Sequence, residues 1–116
     1  MTGAQQDASS GPNRRTHART KASVPVEMET EGSQVPIRGA TSDLSLGGCY
    51  IETMYPLPTG THLDLKLQID GTLLIEAEVV TSDPQVGNGI KFLKMLPEDQ
   101  EELKAYLEQI ARAQGA

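Results

Sequence analysis

Between His62 and Ser82 the chain reads HLDLKLQI, then DG, then TLLIEAEVVTS. Leu63, Leu65, Leu67 and Ile69 alternate with polar residues in the first run, and Ile75, Ala77 and Val79 share one face of the second. A period of two is the repeat of a β-strand that buries one side, because successive side chains point to opposite faces of a sheet. Asp70–Gly71 between the runs is a hairpin signal. Two paired strands with one apolar face cannot stand alone in water, so the rest of the chain must complete a β core around them.

The flanking sequence supplies the material. VPVEMET sets Val24, Val26 and Met28 against Pro25, Glu27 and Glu29, and Pro25 places this strand at an edge or at its own start. EGSQ (Glu31 to Gln34) is a turn signal, VPIRGATSDLS is a second strand running into a polar corner, and CYIET (Cys49 to Thr53) is a short third one. YPLPTG is a loop, DPQ turns the chain, and VGNGIKFL ends a set of about six strands. The pattern then changes. In PEDQEELKAYLEQIAR the residues Leu103, Tyr106, Leu107 and Ile110 fall at offsets 0, 3, 4 and 7, one apolar face of a helix. Pro97 suits the first helical turn, and Glu98, Asp99, Glu101 and Glu102 complement the positive end of the helix dipole. The expected fold is all-β dominated: a six-stranded antiparallel β-barrel with a C-terminal α-helix over its wall or one open end. No internal repeat is visible.

A chain of 116 residues makes one domain with one modest core. Its net charge of −6 argues against a general affinity for nucleic acid or anionic membranes. The charge is uneven, however. Up to Ser23 four basic residues (Arg14, Arg15, Arg19, Lys21) face one acid, Asp7, whereas six basic and fifteen acidic residues follow, so a segment of net +3 precedes a body of net −9. Such asymmetry points to a basic segment with a partner of its own. A single cysteine excludes an internal disulfide and fits a reducing compartment. No apolar run has the length of a membrane span and the N-terminus lacks a secretory core, so the expectation is a cytoplasmic protein without membrane insertion.

Residues 1–13, MTGAQQDASSGPN, are small and polar and are expected to be disordered. Arg15 and Arg19 then form an R-x-x-x-R pair with Arg14 in front of it. Over an extended chain four residues span at most about 13–14 Å, enough for two arginines to grip opposite sides of a dinucleotide. The guanidinium fork matches phosphate oxygens and the O6/N7 edge of guanine, and its plane stacks on bases. By itself this segment also reads as a solvated, mobile tail. Asp43 to Gly48 reads DLSLGG, a D-x-S-x-x-G pattern. By itself it is a turn in which Asp and Ser cap their own backbone.

Taken together, RRTHAR, then DLSLGG about two dozen residues later, then GNGIKF (Gly87 to Phe92) resemble a PilZ domain, a bacterial family of small β-barrels that bind cyclic di-GMP. The resemblance runs from about Arg14 to Ile110 and implies a division into a basic ligand-binding segment over 14–23, a barrel over 24–96 and a helix over 97–112. It implies that Arg15 and Arg19 contact guanine edges and phosphates, and that Asp43 accepts from guanine N1–H and the exocyclic amine, which no arginine can do. It implies further that Ser45 hydrogen-bonds the ligand and that Gly48 lets backbone and ligand approach closely. Arg14 in front of the pair implies a stacked, intercalated ligand dimer, two nucleotides per protein. The chain departs from many relatives in carrying His17 and Ala18 inside the arginine motif and Thr81 and Ser82 where others offer a bulky or basic side chain.

Other residues offer less. Cys49 alternates with Ile51 and reads as a core thiol rather than a nucleophile. His17 and His62 stand apart and, with one cysteine, make no metal-ligand spacing. GNG is too short for a phosphate-binding strand–helix loop and reads as a bulge or a close-packed corner. Four functions from different classes remain. The leading one is a cyclic di-GMP receptor, which passes its signal to a downstream protein as the N-terminal segment orders. The second is a protein-interaction adaptor on the same barrel, with nucleotide weak or absent. A DNA- or RNA-binding barrel is disfavoured by the acidic balance and by only three Tyr and one Phe. No nucleophile–base pair suggests an enzyme, and no cofactor or metal is expected.

Overall fold

The structure is a computed structural model that describes residues 18–115. Seven strands and one helix follow in order: β1 (Thr20–Lys21), β2 (Pro25–Thr30), β3 (Ile37–Leu44), β4 (Gly48–Glu52), β5 (His62–Gln68), β6 (Thr72–Asp83), β7 (Gly87–Met95) and α1 (Pro97–Gly115). All pairings are antiparallel in the order β1-β3-β2-β5-β6-β7-β4. A further pairing of β3 with β4 closes six of the strands into a barrel. Closure removes the exposed edges that an open sheet would leave. The expected barrel and helix are therefore present, and β1 is an addition, a two-residue strand beside the C-terminal end of β3, across from β4.

The alternation in the sequence is the alternation of the wall. Val26, Met28, Leu63, Leu65, Leu67, Leu73, Ile75, Ala77, Val79, Cys49, Ile51 and Ile90 point inward and form one buried cluster. Pro25 opens β2, where its missing N–H is tolerated, although β2 is an inner strand paired on both sides. Extra residues bend the wall at three places. The registers jump from Thr41 to Asp43 on β3, from Val79 to Thr81 on β6, and from Phe92 to Lys94 on β7. Each such bulge adds twist and lets the sheet curl shut.

The hairpin signals are obeyed with some differences. Asp70–Gly71 lies in the β5–β6 connection, where Ile69 N–H donates to Gly71 C=O at 2.9 Å and Gln68 pairs with Thr72. At DPQV, Val86 N–H donates to Asp83 C=O at 3.0 Å, with Gln85 at φ 63°. Pro84 before a left-handed residue makes this a type II turn. α1 inserts Leu103 into the core, with Tyr106 and Leu107 packed beside it. Glu102 lies over Gly71, and Leu107 and Ala111 line a cleft with Leu46, so the helix covers the barrel end that carries the β3–β4 and β5–β6 turns. Near its C-terminus Gln114 Nε2 donates to the Lys21 carbonyl at 2.6 Å, which ties the helix to β1.

Two buried polar side chains fasten the irregular segments. Thr41 Oγ1 accepts from Val24 N–H at 3.0 Å and donates to Ala22 C=O at 2.5 Å, which locks the exit of the basic segment onto β3. Asn88 exchanges two hydrogen bonds with the Leu57 backbone, at 2.8 and 2.9 Å, and donates to Thr81 C=O at 3.2 Å. With its carbonyl and both N–H groups engaged, it pins the long proline-containing loop onto the wall.

Candidate functional site

The site grows out of the bulge on β3. Thr41 points inward, so strict alternation would turn Asp43 inward as well. The extra residue, Ser42, resets the pattern: Asp43 pairs with Tyr50 on the outer face and Leu44 pairs with Cys49 in the core. A carboxylate that alternation would have buried is thereby delivered to the outer wall.

β1 runs antiparallel to this end of β3, with Thr20 opposite Leu44 and Lys21 opposite Asp43. The short ladder brings Arg19 alongside, and its Nη1 donates to Asp43 Oδ1 at 2.5 Å. Their side chains are 37% and 31% exposed, so the pair is half-open to solvent and reachable by a ligand. Residues 24 positions apart in sequence thus meet on one patch of wall. Lys21, which sequence reasoning left out of the site, stands on the same patch by register. Arg14, Arg15 and His17 lie outside the described residues.

The turn after Asp43 is built by Ser45. Its Oγ accepts from the N–H groups of Gly47 and Gly48, both at 3.1 Å, and donates to Gly48 C=O at 3.2 Å. Ser45 N–H donates to the same carbonyl at 2.8 Å. The side chain is buried, and its hydrogen-bonding capacity goes to the bend. Gly48 packs against β7: a Cβ there would collide with Ile90 C=O. The close approach that requires glycine in this structure is that of strand to strand.

Beside Asp43, Tyr50 continues the outer face. Its hydroxyl donates to Asp83 Oδ2 at 2.7 Å, across β7 on the far end of β6. Its ring lies over Gly87, where an added Cβ would come within 2.8 Å of Cε2. Gly89 likewise leaves room for Thr81, whose Oγ1 accepts its N–H at 3.0 Å. Both glycines of GNG therefore serve close packing. The bond to Asp83 is the main cause that lifts the Tyr50 phenol from 10.0 to about 12.

Underneath, Cys49 is fully buried. Burial first, and then the Asp43 carboxylate, push its thiol from 9.0 up to about 12, with Arg19 acting in the opposite direction. A thiol so protonated and enclosed is no nucleophile at neutral pH. His62 lies 3.9 Å from Glu78 on an exposed part of the wall. Among the described residues no cluster of His, Cys, Asp and Glu is arranged to hold a metal ion, and no helix is long and apolar enough to cross a membrane.

Comparison with known proteins bears on this geometry. The family model for the PilZ domain matches residues 13–109. No curated protein sequence matches. Among solved structures, the PilZ domain of CeSA from a cellulose-synthesizing bacterium is 21% identical with a TM-score of 0.64, over 81% of this chain and 98% of that one. The PilZ domain of YcgR from Escherichia coli, solved with c-di-GMP, is 19% identical with a TM-score of 0.68, over 87% and 94%. MotI/DgrA, the inhibitor of motility from Bacillus subtilis, is 23% identical with a TM-score of 0.68 over 89% of this chain, which spans 52% of that one.

Proposed function

The chain belongs to the PilZ domain family, and on that premise we propose that it is a receptor for cyclic di-GMP. The observation that carries this reading is the meeting of Arg19 and Asp43 on the outer wall, since the two come from the separate motifs R-x-x-x-R and D-x-S-x-x-G. One offers only donors and the other only acceptors, which is the pair needed to read both edges of a guanine. Asp43 has two oxygens and Arg19 five N–H groups, so both can serve a ligand beyond their mutual contact. Arg15 adds a second guanidinium four residues away, and Arg14 a third, enough charge for two phosphates or for a stacked pair of ligands. Ser45 and Gly48 act through the shape of the bend. A direct contact from the Ser45 hydroxyl would require it to release one of its three bonds.

Binding orders the basic segment in this reading. Two or three guanine contacts at about 1–3 kcal/mol each, with phosphate pairing, oppose an ordering cost of about 2–5 kcal/mol. The balance is compatible with micromolar affinity, about −8 kcal/mol. The ordered segment, or the surface it completes, then recruits a downstream protein. The acidic remainder of the barrel repels longer polyanions such as DNA.

Calorimetric titration with cyclic di-GMP, and with GTP and single-stranded DNA as controls, tests the proposal. The expected result is selective binding by the wild type that Arg15→Ala, Arg19→Ala and Asp43→Ala each weaken at least tenfold while the thermal unfolding stays cooperative. Absence of heat with every nucleotide overturns it in favour of the adaptor. DNA binding that falls steeply with salt overturns it in favour of a nucleic-acid module.

A further inference from the structure

Tyr50 is an aromatic ring laid on the outer wall of the barrel, beside the candidate site. Three features hold it there. Its backbone pairs with Asp43 on one side and Gly89 on the other, so it starts beside the carboxylate of the candidate site. Its ring crosses β7 at Gly87, the one kind of residue that leaves the ring room to lie close to the backbone. Its hydroxyl ends on Asp83 at 2.7 Å. A side chain fixed at both ends across three strands has lost its rotamer freedom before any ligand arrives. The residue is only partly buried.

From this arrangement, and resting on the nucleotide-receptor reading above, we infer that Tyr50 is a stacking plate for a purine base of the bound nucleotide. Neighbouring strands are about 4.8 Å apart, so a side chain that starts on β4 and crosses β7 toward β6 covers the wall from one to two strands beyond Asp43. A guanine whose Watson–Crick edge meets Asp43 extends over that same strip. The base then gains in-plane hydrogen bonds from Asp43 and a face-on contact from Tyr50, two independent constraints on its orientation. The glycine at 87 and the carboxylate at 83 act through the ring: one makes space beneath it and the other fixes its tilt.

The test combines calorimetry with proton NMR on the full chain and cyclic di-GMP. With three Tyr, one Phe and no Trp, the ring resonances are few enough to assign. At saturation the Tyr50 ring protons move upfield by the ring current of a stacked purine, and those of Tyr55 and Tyr106 stay in place. Tyr50→Ala and Tyr50→Leu each weaken binding about 10- to 100-fold, the range for loss of one base–aromatic stack, and Tyr50→Phe stays within about 3-fold because the ring remains. Tyr50→Leu keeps apolar volume on the wall, so its loss separates stacking from packing, and the NMR shift in the wild type depends on no variant. Wild-type binding with unmoved Tyr50 resonances, or with Tyr50→Ala as tight as wild type, overturns the plate and leaves the receptor standing. Failure of the wild type to bind overturns the receptor and the plate together.

Discussion

Arg19 meets Asp43 because Ser42 is one residue too many for its strand. The effect of that surplus is local and chemical: it turns a carboxylate outward, keeps Leu44 inside, and leaves Cys49 below as a neutral thiol. The thiol has a measurable consequence. Its pKa is raised in the folded chain from 9.0 to about 12, chiefly by burial, so the folded state holds a proton that the unfolded state has lost above about pH 9. The contribution to stability is complete below pH 9 and is lost as pH rises toward 12. Tyr50, raised from 10.0 to about 12, adds to the same decline. In urea unfolding between pH 8 and 11 the wild-type midpoint should fall more steeply than that of Cys49→Ala, and parallel slopes would contradict the assignment. At this scale the sequence was partly legible. Asp43, Ser45 and Gly48 were visible as a motif, and the backbone-capping turn it spells is the one Ser45 makes, but the motif alone does not say that Gly48 yields to Ile90. Tyr50 went unassigned because its anchor, Asp83, is 33 residues away and joined to it only by the folded sheet.

At the scale of the element, strand and helix periodicity carried most of the information. Leu63, Leu65 and Leu67, and Ile75, Ala77 and Val79, are buried as their spacing requires, and Leu103 anchors the apolar face of α1. What periodicity could not show was β1, whose two residues are too few to alternate and which exists only because the end of β3 offers free backbone groups. The bulges were equally hidden, since an inserted residue looks like a break in pattern until its partner strand is known. Pairing also reveals a strain across β2, β5 and β6. Glu29 faces Asp64, which faces Glu76, three carboxylates in one cross-strand row on the outer wall; Lys94 stands opposite Glu76 on β7, but no ion pair within 4.0 Å forms to any of the three among the described residues. Like charges directly opposite are destabilising, and opposite charges favourable, by up to about 1 kcal/mol a pair. Asp64→Lys should therefore raise the unfolding free energy by about 1 kcal/mol, with the gain shrinking in 1 M salt as screening grows. Urea denaturation at low and high salt measures it, and an unchanged or lower midpoint in low salt would contradict the row as a source of strain.

Across the whole molecule, charge and topology divide the labour. The closed barrel fixes the wall, α1 caps one end of it, and Gln114 connects that cap to β1, the strand that follows the arginines. In the proposed reading, a ligand that orders the segment before β1 would act on an element already linked to the helix. Arg19 and Lys21 lie together with the outward Asp43–Tyr50 strip, whereas the carboxylate row of Glu29, Asp64 and Glu76 lies on other strands of the wall. Amide chemical-shift mapping with cyclic di-GMP tests this division most directly. At saturation the shifts should cluster at residues 14–21, 43–50 and 87–91, and leave Glu29, Asp64 and Glu76 unmoved. Shifts centred on that carboxylate row, with Arg19 and Asp43 unaffected, would place the nucleotide elsewhere and contradict the site.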